Sequence, residues 1–133
     1  MAQRTRELEC RERVERRADR RCEYCRAPQL VTGVRYHLDH ILPESLGGTD
    51  DSDDLALACP MCNNHKSAHV LGADGWLFNP REDDWDNYFV FDPVTLQVRG
   101  RTAEGQGTVN RLRLNDAIQI EGRRHWVELN LYP

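Results

Sequence analysis

Lysine is almost missing from this chain of 133 residues: of 18 basic side chains only Lys66 is not an arginine. Other scarcities narrow the class further. No apolar run approaches the roughly 20 residues of a membrane helix, and the arginine-rich N-terminus lacks the apolar stretch of a secretory signal. A soluble, cytoplasmic protein is therefore expected. A basic excess is also lacking, the net charge being −4, which argues against a protein that coats nucleic acid, because neutralising phosphates rewards positive charge. Repeats, low-complexity tracts and Gly/Ser-rich linkers are absent from the sequence, so one domain over residues 1–133 is expected, able to bury a modest core.

What charge there is lies unevenly. Residues 1–26 hold nine arginines against six acids, whereas Glu44, Asp50, Asp51, Asp53 and Asp54 crowd one stretch and Glu82, Asp83, Asp84, Asp86 and Asp92 another. Such a basic arm is compatible with docking on DNA, although a genomic preference for arginine accounts for it equally. Residues 7–19 read as a helix, with Leu8, Val14 and Ala18 as a thin apolar stripe and Glu7/Arg11, Glu9/Arg13 and Glu12/Arg16 spaced i,i+4. A solvated, salt-bridged helix is the plain reading, and a DNA contact is the alternative.

Four of the five cysteines form two CxxC knuckles, Cys22/Cys25 and Cys59/Cys62, with 33 residues between the second and the third. A two-residue gap lets one turn present both sulfurs to one ion, and four thiolates complete the tetrahedral shell of structural zinc. Four-thiolate iron, two disulfides and unrelated buried thiols are the alternatives; disulfides would need an oxidising compartment that nothing in the sequence indicates. Cys10 is left as a free thiol on the first helix. The metal closes a long loop and fixes what lies inside it, so function is to be sought there.

Inside that loop, residues 34–42 alternate well enough for a strand with Tyr36 and Leu38 on its inner face, and Pro43 ends it. Residues 44–54, with Gly47-Gly48, form a loop, and Leu55 to Ala58 a second strand. Pro60 suits the first turn of a helix that Gly72 is placed to end. Beyond it, Trp76-Leu77-Phe78 and Trp85 to Phe91 read as core aromatics. Phe89/Phe91 and Leu96/Val98 suggest a hairpin, followed by helices at 108–114 and 117–129, the latter weakened by Gly122. The expected fold class is α+β.

Asp39-His40 at a strand end, facing the helix after the second knuckle, offers the parts of a metal-assisted phosphodiesterase. Histidine titrates nearest neutral pH of the side chains, which suits His40 to act as general base. Asp39 and Asn63 offer hard oxygens for Mg²⁺, Mn²⁺ or a similar divalent ion, which would stabilise charge in the transition state, and Lys66 lies one turn from Asn63 for the phosphate. His37, two residues before Asp39, is a candidate partner or third ligand, with an exposed strand histidine as the alternative. His65 and His69 have an HxxxH spacing but fall on a different face from Asn63.

Taken together, Cys22-Glu23-Tyr24-Cys25, Asp39-His40-Ile41, Pro43, Gly47-Gly48, Asp54 to Cys59, and Cys62-Asn63 with Lys66 resemble the HNH endonucleases of ββα-metal fold. The likeness is strongest over residues 20–67. Leu77 to Arg81, Trp85 and Gly100-Arg101-Thr102 resemble the tail of small stand-alone bacterial members. The resemblance implies a ββα-metal core at about 20–72, preceded by a helix and followed by a hairpin-plus-helices extension over about 73–133. It also implies His40 as general base, Asp39 and Asn63 as ligands of the catalytic ion, and hydrolysis leaving 5′-phosphate and 3′-hydroxyl ends. At the middle asparagine of the family this sequence has Asp54, which accepts loop amide hydrogen bonds but cannot donate as an amide does. The implied partner is DNA, most simply double-stranded, with neither membrane nor small-molecule cofactor; the oligomeric state is left open. A non-catalytic zinc module binding nucleic acid or protein is the first rival reading, and a small iron electron carrier the second.

Overall fold

The computed structural model, which describes residues 2–72 and 75–133, begins with helix α1, Ala2–Arg17. It starts five residues earlier than the apolar stripe predicts, because good helix formers and a Gln3 to Glu7 hydrogen bond extend the first turn. Asp19 and Arg20, both at φ 54°, end it. Only Val14 is fully buried. The helix is also tied to the core through its arginines: Arg17 donates to the carbonyls of Ser52 and Leu55, each at 2.8 Å, and Arg11 to that of Tyr36 at 3.0 Å.

A short helix α2, Gln29–Thr32, leads to strand β1, His37–His40. Strand β2, Leu55–Ala58, pairs antiparallel with it, His37 opposite Ala58 and His40 opposite Leu55. Helix α3, Pro60–Lys66, follows at once, with Pro60 in its first turn as expected. β1 is shorter than residues 34–42 because β2 has four residues to offer before Cys59 caps α3. Its inner face also differs from expectation. Tyr36 is buried, but within the strand it is Asp39 that is enclosed, at 6% exposure, while Leu38 is half-buried. Leu38 and His40 face a concavity under the N-terminal half of α1, where cover is thin, and alternation sends Asp39 to the opposite face. α3 ends six residues short of Gly72, since Ser67 takes φ 50°, ψ −133°.

Two-residue strands β3, Leu71–Gly72, and β4, Gly75–Trp76, come next. Helix α4, Trp85–Tyr88, leads to the expected hairpin of β5, Phe89–Phe91, and β6, Val98–Gly100. Helices α5, Ala103–Leu112, and α6, Ala117–Glu128, close the described chain. α5 begins ahead of residue 108 because the Thr102 hydroxyl caps the Gly105 amide at 2.9 Å. Leu77, Phe78, Trp85 and Phe89 join the core, whereas Trp76 stands 66% exposed, against the expectation that it is core. The extension braces the first knuckle from behind: Trp85 Nε1 donates to the Tyr24 carbonyl at 2.8 Å and the Tyr132 hydroxyl to that of Cys25 at 2.7 Å. Among the described residues no helix is long and apolar enough to cross a membrane.

Candidate metal centre and active site

Cys22, Cys25, Cys59 and Cys62 are all buried and free, with their sulfurs within 4.8 Å of one another. The Cys25 and Cys59 sulfurs lie 3.7 Å apart, far beyond a disulfide bond. One cluster of four excludes both the paired-disulfide reading and that of unrelated thiols. Without a cation the arrangement is costly to ionise: hydrogen bonds from the other three sulfurs, and then burial, push the Cys62 thiol well up. A central divalent ion reverses that balance and takes all four as thiolates, so the donor set fits a tetrahedral metal. Glu23 fastens the first knuckle to the sheet. Its amide donates to the Leu57 carbonyl and its carboxylate accepts from the Leu57 amide, both at 2.8 Å, and Arg81 pairs with the same carboxylate.

Beneath α3 lies a buried polar triad. Asp39 Oδ2 accepts from the Tyr24 hydroxyl at 2.8 Å and lies 3.1 Å from Lys66 Nζ. Lys66, at 2% exposure, also donates to the His40 carbonyl at 3.0 Å. Burial raises the Asp39 carboxyl, while the ammonium and the two hydrogen bonds pull the other way. The Tyr24 phenol is pushed up by burial first and then by Asp39, and so remains a donor. Sequence reasoning sent Lys66 towards a phosphate; in the structure its ammonium turns inward and neutralises Asp39.

His40 sits on the other face of the strand. Its Nε2 is 2.9 Å from Asp50 Oδ1 and 3.7 Å from Glu44 Oε1. Both acids come from the loop between the strands, and Asp54 holds that loop. Asp54 Oδ1 accepts from the Leu42 amide at 2.9 Å, Oδ2 from the Thr49 amide at 3.2 Å, and the Asp54 carbonyl from the Ile41 amide at 2.8 Å. The carboxylate offers one oxygen to each amide, whereas an asparagine would have a single side-chain oxygen for the two. Gly48 lets the loop close, because a Cβ there would fall 1.7 Å from the Leu42 carbonyl oxygen. Gly48→Ala is expected to cost about 1–3 kcal/mol by overpacking, read as a lower denaturant midpoint with an unchanged slope; an unaltered midpoint would show that the loop yields freely.

Asn63 lies on α3 three residues before Lys66, half-buried, and among the described residues no hydrogen bond engages its side chain. The Asp39 carboxylate and the Asn63 amide carry the kind of oxygen donor that Mg²⁺ or Mn²⁺ takes, with the Asp39 oxygens already held by Tyr24 and Lys66. His37 is exposed at the start of β1. His65 Nδ1 hydrogen-bonds the Leu112 carbonyl at 2.9 Å and His69 Nδ1 that of Lys66 at 3.0 Å, so the HxxxH spacing is used by two separate backbone contacts. Sequence reasoning passed over Tyr24, Glu44 and Asp50. The one cue was position, Tyr24 between two knuckle cysteines and the acids in the loop after His40.

Among known proteins, residues 22–69 match the family model described as HNH endonuclease. No curated protein matches, and no solved structure does.

Proposed function

We propose, from the premise that residues 22–69 form an HNH endonuclease domain, that the protein is a metal-dependent DNA endonuclease acting as a single unit over residues 1–133. The observation that carries this reading is the division of one strand between two tasks. Asp39 points inward beneath α3, towards the helix that bears Asn63, and His40 points outward to a concavity of about 570 Å³ bounded by α1. A carboxylate only accepts hydrogen bonds, so contact with Asp50 keeps the proton of neutral His40 on Nε2 and leaves Nδ1 with the lone pair that takes a proton from water. Asp39 and Asn63 would hold a Mg²⁺ or Mn²⁺ ion, with His37 as a further candidate ligand. When bound, that ion supplies positive charge to the phosphate and leaving oxygen. The place of Lys66 beside Asp39 supports a positioning role for it rather than direct contact with phosphate. The ion held by the four cysteines is zinc, structural in role, and their reduced thiols suit the cytoplasm.

Relaxation of supercoiled plasmid with Mg²⁺ or Mn²⁺ tests the proposal. His40→Ala is expected to lower the rate by about 10²- to 10⁴-fold, the usual worth of a general base, while zinc content and fold stay unchanged. One observation favours a second reading, a non-catalytic zinc module: Asp39 is closed off by Tyr24 and Lys66. Binding of double-stranded DNA without any cutting by the wild-type protein would decide for that module.

A further inference from the structure

The inward turn of Lys66 takes away the cation that the sequence placed at a phosphate. The concavity onto which His40 opens supplies another. Among the described residues its charged lining is Arg6, Glu7, His40 and Asp50, with Gln3 and Cys10 beside them on α1. The two acids are each engaged: Glu7 accepts from Gln3 Nε2 at 3.4 Å, and Asp50 lies 2.9 Å from His40 Nε2. Arg6 is exposed, and no hydrogen bond or ion pair occupies its guanidinium among the described residues. Other arginines of α1 are committed, Arg11 and Arg17 to backbone carbonyls and Arg16 to Glu12.

A guanidinium left free in the same concavity as a proposed general base has a chemical use. Its planar fork matches two oxygens of a phosphodiester, and making that contact breaks none within the protein. The first turn of α1 contains no acid, so the positive end of the helix dipole, close to Gln3, favours an anion there as well. We infer that Arg6 binds a backbone phosphate of DNA in this concavity and so holds the strand against His40. This rests on the reading of the protein as a DNA endonuclease. The contact itself requires no divalent cation.

Anisotropy of a labelled DNA duplex tests it, with zinc-loaded protein titrated in over a range of salt and no Mg²⁺ or Mn²⁺ added. The proteins are wild type, Arg6→Ala and Arg4→Ala, the last removing an exposed arginine of the same helix that lies outside the concavity. Each phosphate neutralised contributes about 0.9 to the fall of log K with log salt. Arg6→Ala is expected to make that slope shallower by about this amount, and Arg4→Ala to leave it as in wild type. An unchanged slope in Arg6→Ala overturns the inference, as does the same loss in both variants. Cys10 reports where the duplex sits, being partly exposed in the concavity and the one cysteine outside the four-sulfur cluster. Bound duplex is expected to suppress its alkylation by iodoacetamide in the wild type. Duplex that binds and leaves the alkylation rate of Cys10 unchanged also overturns the inference, since the concavity then stands open. A wild-type protein without affinity for the duplex would instead remove the endonuclease reading itself.

Discussion

Cys62→Ser, or withdrawal of the metal from the wild-type protein by a strong chelator, is expected to abolish the cooperative unfolding transition at ambient temperature. Structural zinc in small domains contributes about 10–16 kcal/mol at neutral pH, whereas a domain's whole stability is about 5–15 kcal/mol. The cluster ties residues 22–25, β2 and the start of α3 into one node, and Tyr36, Leu57 and Ala58 are buried around it. Without the ion, four buried sulfurs are left with weak hydrogen bonds to one another and from the amides of Cys25, Ala27 and Cys62. Circular dichroism during denaturant titration, beside a zinc assay, is the measurement. A mild chelator that takes the proposed catalytic ion and spares the zinc should leave the transition in place and, on the proposed function, stop cleavage. A transition that survives complete loss of zinc would show that the cysteines do not support the fold.

The same node explains which parts of the molecule were legible in the sequence. Strand, loop, strand and helix could be read because each carries a local signal: CxxC spacing, Pro43, Gly47-Gly48, and Pro60 at a helix start. Where elements end was less legible. α3 stops at Lys66 because Ser67 adopts a positive φ, which serine does not announce, and β1 is limited by the length of its partner. The residues at the site divide in the same way. Asp39-His40 stood out as a dipeptide, but which of the two turns inward depends on α1 and α3 covering opposite faces of the strand. The sequence places Lys66 near a phosphate because it lies one turn from Asn63. It turns inward because a buried carboxylate 27 residues earlier lies within reach of its stem. Nothing in the sequence singles out Tyr24, and only the fold brings its hydroxyl to Asp39.

The chain's only lysine therefore makes the second large prediction. Lys66→Met keeps the apolar stem and removes the charge, leaving the Asp39 carboxylate buried with Tyr24 as its one remaining donor. Breaking a buried ion pair from one side costs about 3–5 kcal/mol, because the surviving charge is stranded. The sign with pH follows from Asp39, whose carboxyl already lies above its ordinary value through burial and loses the lowering pull of Lys66 in the variant. A group raised on folding contributes stability below its unfolded-state value and loses it as pH rises through the folded-state value. The deficit of Lys66→Met should therefore be full near neutral pH and shrink as the solution is acidified and Asp39 takes up a proton. Adding Asp39→Asn should recover part of the loss at neutral pH, since an amide is less costly than a lone carboxylate in that position. Denaturant midpoints of the two single variants and the double variant, measured at neutral and mildly acidic pH, are the test. If Lys66→Met is as stable as wild type at every pH, the ammonium spends its time in solvent, and the phosphate role read from the sequence returns in place of the inward one.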